Sequence, residues 1–205
     1  MHCLDLFTFE ANYRLVEKKS SRKAQKLSAL MLELKDQTGP KFTKSLQLLK
    51  SEGDTNILKD LARLFMHKQD AEGKQILNVL NDLNDSSATG EMIEILRDEE
   101  FLPVRQALLT TVWNSKLNYS AYLPEFVEIA TEGSFLEALD CLTILEGMEG
   151  PFEERHILEA QLFLKEYLED TSPKDPQKAA IMSEIALFLK DAGEIEDEDL
   201  GFYNA

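Results

Sequence analysis

Residues 61–65 read LARLF, and the same apolar pattern returns as MIEIL at residues 92–96 and as LPEFV at residues 123–127. Each copy begins 31 residues after the previous one. A second set of leucines, 15 residues upstream of each copy, keeps the same step: Leu46, Leu77 and Leu108. A repeat of this length is typical of a two-helix unit that buries its apolar face by stacking on copies of itself. The pattern therefore predicts an all-α fold, an α-α superhelix of roughly ten helices.

The repeat fades toward both ends of the chain. Lys18 and Glu33 fall where core leucines are expected, which is typical of a terminal repeat, and residues 4–36 could form one helix or two. Thr38-Gly39-Pro40 should break the chain, and Asp175 before Pro176 should start a last helix. We therefore expect a single solenoid over residues 1–190 and a tail after it. Its parts are a degenerate cap at 1–38, repeats at 41–170, a closing helix at 175–190 and an acidic tail at 191–205.

The charge of the chain is uneven along its length. Residues 1–50 carry ten Lys and Arg against five Asp and Glu, whereas residues 51–205 carry twelve against 33. The net charges of these two parts are therefore +5 and −21. A body this acidic lacks the positive surface that nucleic-acid binding needs, so the composition favours basic protein partners and no nucleic acid.

The sequence also bears on location. No stretch approaches the roughly 18 consecutive apolar residues of a membrane span. Asp5 and Glu10 interrupt the N-terminal segment where a signal peptide would be apolar. Cys3 and Cys141 offer neither a disulfide framework nor a metal-ligand spacing, which suits a reducing compartment. We expect a cytoplasmic protein with no membrane span.

One repeat resembles a known family. Leu102-Pro103-Val104-Arg105, followed by Ala107 and Leu108, resembles the first helix of a HEAT-like repeat, and residues 121–126, AYLPEF, resemble its second helix. The 31-residue step is similar to the short bacterial subtype first noted in phycobilisome lyases. The other units depart from this pattern, because Gly73 stands in the column of Val104 and the arginine occurs once. The resemblance implies an α-α superhelix that binds other proteins, and it transfers no catalytic residue.

Cys141 is the strongest candidate for a nucleophile, because Asp140 lies beside it and His156 follows 15 residues later. However, its column in the repeat is small or apolar: Ser45, Ile76, Ala107 and Cys141. A free cysteine in such a column is expected to pack as a small hydrophobe, with His156 exposed at a helix start.

Other signatures of catalysis are missing from the sequence. It contains no Gly-rich phosphate loop, no nucleophile elbow and no HExxH pattern. We therefore expect no catalytic residues, no metal site and no cofactor. Trp113 is expected to pack in the core or between units, although a binding platform of Trp113 with Tyr119 and Tyr122 stays open.

In HEAT-like solenoids the second helix of each unit lines the concave side. Positions two and five residues after the core columns give a largely acidic row with an apolar end. We define the acidic ridge as its four glutamates: Glu94, Glu125, Glu128 and Glu159. Five further residues complete the predicted partner-binding set: Arg63, Met66, Arg97, Tyr122 and Leu162.

These observations favour a non-enzymatic protein-binding module or scaffold that holds a basic partner segment on the acidic ridge. A basic face in the N-terminal part could instead support self-association: Lys18, Lys19, Arg22, Lys23 and Lys26. Two other classes remain open. One is an enzyme or chaperone component resembling the phycobilin lyases. The other is a HEAT-like DNA glycosylase, which the acidic ridge disfavours.

Overall fold

The computed structural model describes residues 22–52, 57–68 and 70–199, and within them the fold is all-α, with ten α-helices and no strand. The predicted fold class is confirmed, and the helix packing is consistent with an α-α superhelix. Helix α1 covers residues 22–36. The others are α2 (Gly39–Glu52), α3 (Leu58–His67), α4 (Asp70–Asn81), α5 (Ala88–Arg97), α6 (Arg105–Asn114), α7 (Leu123–Glu132), α8 (Phe135–Glu146), α9 (Glu154–Glu169) and α10 (Pro176–Asp199). Short 3₁₀ helices, Glu99–Val104 and Ser120–Tyr122, precede α6 and α7.

The apolar columns of the sequence form the core. One column is buried at every position: Leu61, Met92, Leu123 and Ile157. In the other column Leu46, Leu108 and Leu142 are buried, whereas Leu77 is half-buried. Burial in both columns follows the spacing read from the sequence.

The chain divides into two compact units, residues 1–76 and residues 77–205, and each is described by itself. The single solenoid over residues 1–190 stays a prediction. None of the helices in the described ranges is long and apolar enough to cross a membrane.

In the first unit, the start of α2 lies beside the start of α4. The amide of Gly39 donates a hydrogen bond to Glu72 Oε1 at 2.9 Å, across 33 residues of sequence. The Lys68 ammonium donates to the carbonyl of Gln37 at 2.8 Å, 31 residues away, and lies over the ring of Phe42. These separations place each contact about one repeat apart along the chain.

Two glycines of this unit have conformational reasons. Gly39 has φ of +58°, the left-handed conformation that ends α1, as the Gly-Pro break predicts. Gly73 is buried, and a Cβ there would lie 2.8 Å from the Lys68 carbonyl oxygen. That close approach explains why Gly73 replaces the branched residue of the HEAT-like pattern.

In the second unit, α7 packs against α8 and α9, and α10 packs against α8 and α9. Side-chain contacts join helices that are two elements apart. Arg97 on α5 pairs with Glu128 on α7 across 31 residues, and Arg105 on α6 pairs with Glu137 on α8 across 32 residues. The pairs fall close to one repeat length, because stacked units bring equivalent helices side by side.

Side-chain caps start two helices of this unit. Ser134 accepts from the Glu137 amide while Glu137 accepts from the Ser134 amide, a capping box at the start of α8. Asp175 accepts from the Gln177 amide at 2.8 Å, so the predicted N-cap before Pro176 is confirmed. Helix α10 then runs to Asp199, beyond the predicted end of the closing helix at residue 190.

Candidate functional site

The centre of the acidic ridge lies where α5 and α7 run side by side. Arg97 Nη2 lies 3.0 Å from Glu128 Oε2 near the ends of these helices. Near their starts, a Cβ on Gly90 would lie 3.1 Å from the Tyr122 hydroxyl. Because starts meet starts and ends meet ends, α5 and α7 are parallel neighbours.

Carboxylates crowd along α7 at this point. Glu125 and Glu128 are both half-buried, and Glu132 follows one turn later on the exposed surface. Burial raises the pKa of Glu128, and Glu132 and Glu125 raise it further, although Arg97 acts in the opposite direction. Oε2 of Glu125 is buried with no hydrogen-bond partner among the described residues. The site therefore holds more negative charge than its one arginine offsets.

The other ridge residues of this unit are more accessible. Glu94 on α5 and Glu159 on α9 are exposed, and Leu162 on α9 is 59% exposed. Tyr122 is half-buried. Helix α9 packs against α7, so the exposed glutamates lie on the helices adjacent to Glu125 and Glu128.

Two predicted binding residues, Arg63 and Met66, lie in the first unit on α3, and both are half-buried. Arg63 pairs with Asp60 one turn earlier at 3.5 Å. Of the predicted basic face, Arg22, Lys23 and Lys26 are exposed on α1. Lys18 and Lys19 lie outside the described residues.

Cys141 is fully buried on α8, as its column in the repeat predicts. Burial raises the pKa of its thiol well above the usual range, and the neighbouring Asp140 raises it further. A thiol that stays protonated and inaccessible is a poor nucleophile. His156 is half-buried, so its predicted exposure was too high.

The prediction for Trp113 was wrong, because its side chain is 45% exposed at the end of α6. It hydrogen-bonds to Asp140 on α8 and borders a cleft of about 320 Å³ that Lys116, Tyr119 and Glu149 also line. Tyr119 is buried, and burial raises its pKa to about 12. Trp113 follows two buried residues at the last turn of its helix, and this position leaves one side of the ring in water.

A buried charge cluster behind Cys141 was missed by the sequence analysis. Arg105 Nε donates to Glu137 Oε1 at 2.6 Å, with side-chain exposures of 8% and 11%. Lys178 on α10 donates to the carbonyls of Thr131 and Gly133, at 2.7 and 2.6 Å. Burial alone would raise the pKa of Glu137, but hydrogen bonds from Arg105 and Ser134 lower it below its usual value. The cluster joins α6, α8 and α10.

In the described ranges, no group of three His, Cys, Asp or Glu side chains could hold a metal ion. Comparison of the chain with known protein families, with curated proteins and with solved structures found no match.

Proposed function

We propose that this chain is a non-catalytic protein-binding module whose acidic ridge holds a basic segment of a partner protein. The observation that carries the proposal is the carboxylate crowding on α7, where the pKa of Glu128 is raised even with Arg97 at 3.0 Å. A partner cation placed there would relieve repulsion between Glu125, Glu128 and Glu132, which makes the contact favourable and fast to form.

Apolar contact is also available beside the charges. Leu162 is 59% exposed on α9, and Tyr122 is half-buried at the start of α7. Aromatic and aliphatic anchors supply most of the binding energy in protein interfaces, whereas charges at the rim mainly set rate and specificity. The favoured partner segment therefore carries lysine or arginine together with a few apolar side chains. The HEAT-like resemblance supports this class of function, and cytoplasmic location is part of the proposal.

A defined peptide can serve as the probe before any natural partner is known. Neighbouring helices lie about 8–10 Å apart, so an extended peptide of about 12 residues is long enough to cross α5, α7 and α9. We would measure the affinity of a peptide of equal Lys and Leu content by fluorescence anisotropy across a salt series. Binding should weaken as salt rises, because exposed charges are screened.

The test variant replaces the four ridge glutamates by glutamine: Glu94, Glu125, Glu128 and Glu159. A matched control makes the same change at four exposed glutamates away from the ridge: Glu99, Glu146, Glu154 and Glu184. Since exposed ion pairs are worth up to about 1 kcal/mol each, we expect the ridge variant to bind at least about tenfold more weakly. Equal affinity of the two variants would exclude the acidic ridge as the binding surface.

Glu128 gives a second, independent readout. A cation bound beside it should lower its raised pKa, so binding should release protons when the solution pH lies near that pKa. Affinity should correspondingly rise as the pH increases through this region. Calorimetry in two buffers of different ionisation enthalpy measures the released protons, and Glu128→Gln should abolish most of the release.

A further inference from the structure

A groove lies between α9 and α10, well away from the helix turns that carry the crowded carboxylates. Its volume is about 340 Å³. Leu164 and Leu189 are the buried side chains at its base, and Ala186 and Gly193 line the α10 side. Ala186 and Gly193 are seven residues apart, so they lie on the same face of α10 and leave it free of bulk.

The space above Gly193 is open. A Cβ placed there would meet its nearest neighbour, Cγ2 of Ile157, only at 4.0 Å. Side-chain ridges of one helix pack into such grooves of another. The small face of α10 therefore gives an incoming helix room to approach.

The rim of the groove is apolar and solvent-exposed on the α9 side. Leu168, which lines the groove, is 63% exposed, and Leu158 is 53% exposed about three turns earlier on α9. Covering a leucine side chain contributes about 1.5–3 kcal/mol, so two exposed leucines beside an open groove favour a covered state. Continuous exposed apolar surface of this kind is typical of interaction sites.

The charges at the groove are positive, in contrast to the rest of the body. Lys165 lines its α9 side and Lys190 its α10 side. Lys165 also lies 3.6 Å from Glu169 on the exposed surface of the same helix, a weak pair that a stronger carboxylate partner can replace. Two lysines on opposite walls, in a part of the chain with a net charge of −21, select an acidic partner.

We propose that this groove binds an amphipathic helix of another protein, with apolar residues at three- and four-residue spacing and acidic residues on both flanks. The apolar stripe would cover Leu168 and the small face of α10, and the flanking carboxylates would pair with Lys165 and Lys190. This site is distinct from the acidic ridge and has the opposite charge preference. The chain would then bridge a basic segment on one surface and an acidic helix on the other.

The test uses the full chain and three synthetic helical peptides, measured by fluorescence anisotropy. The first peptide has leucines at heptad spacing flanked by glutamates, the second has glutamines in place of the glutamates, and the third has glutamines in place of the leucines. We expect the first to bind, and each of the others to bind at least about tenfold more weakly. The double variant Lys165→Glu with Lys190→Glu should lose about tenfold or more for the first peptide only.

Gly193 supplies a steric test with its own control. Gly193→Leu fills the groove, whereas Gly193→Ala leaves most of it open, and both residues favour a helix more than glycine does. We expect the leucine variant to lose peptide binding and the alanine variant to keep it, with circular dichroism confirming that both fold. Equal binding by the two variants, or equal binding of all three peptides, would overturn the proposal.

Two further measurements distinguish binding at this groove from binding at the acidic ridge and from self-association. The variant with glutamine at all four ridge glutamates should bind the acidic peptide as well as the wild type does, so failure of the ridge leaves this site intact. Sedimentation of the chain alone checks for a second copy. A dimer that Gly193→Leu dissociates would show that the groove holds another copy of this chain and would refute the proposed partner.

Discussion

The buried pair of Arg105 and Glu137 gives the sharpest stability prediction, tested with Arg105→Met. Removing one partner of a buried ion pair costs about 3–5 kcal/mol, since the other charge stays buried without its counterion. Lys178 interacts favourably with Glu137 and offsets part of that loss. We therefore expect Arg105→Met to lower the free energy of unfolding by about 3 kcal/mol. The corresponding fall in Tm is about 6–12 °C.

The double variant Arg105→Met with Glu137→Leu should be more stable than Arg105→Met alone. Replacing both charges by apolar groups removes the unpaired carboxylate, and the remaining cost is the lost capping box, about 1 kcal/mol. Arg155→Met is the matched control. Arg155 pairs with Glu153 at 2.7 Å, but both side chains are largely exposed, so its loss should cost under about 0.5 kcal/mol.

Urea unfolding can be followed by far-UV circular dichroism and by fluorescence of Trp113, the single tryptophan, which lies on the same helix as Arg105. The two probes should report the same loss of stability for Arg105→Met. If Arg105→Met cost no more than Arg155→Met, or if the double variant cost the sum of its single changes, the buried pair would not have the role assigned to it.

Three further predictions follow from the same cluster and from the charge of the chain. The stability that Glu137 contributes should be present above its ordinary pKa of 4.5 and should be lost as the pH falls through its lowered pKa in the folded state. Accordingly, the stability difference between wild type and Glu137→Gln should shrink in acid, and unfolding curves at several pH values measure it. A thiol reagent should modify Cys141 only when the protein unfolds, so rapid labelling under native conditions, read by mass spectrometry, would contradict its burial. Duplex DNA should bind undetectably at about 150 mM salt, and a salt-sensitive gel shift at sub-micromolar protein would contradict this.

The sequence predicted the helices and the core well because burial follows the apolar spacing directly. The column of Leu61 shows this, since every member is buried, and the Gly39 and Asp175 signals placed two helix boundaries. These features depend on the local chain and on its repeat period.

The contacts between helices were harder to predict. Ser134-x-x-Glu137 is a recognisable capping signature, but nothing in it shows that Glu137 also meets Arg105 across 32 residues. That pairing depends on how far one helix is shifted along its neighbour, and a shift of one turn would separate the charges. The same uncertainty explains Trp113, whose exposure depends on where α8 ends beside it. The acidic ridge was predicted as four equivalent glutamates, whereas the structure gives two exposed and two half-buried ones.

Lys178 has a consequence for how the chain can fold during translation. Its bonds to Thr131 and Gly133 reach back 47 and 45 residues, whereas the contacts between α5 and α7 and between α6 and α8 span 31 to 34. Those shorter contacts can form while the ribosome is still adding residues, and short sequence separation favours fast folding. The carbonyls at the end of α7 must wait until α10 has emerged. Pausing synthesis between α9 and α10 should therefore leave a nascent chain that proteases cut first at the junction of α7 and α8.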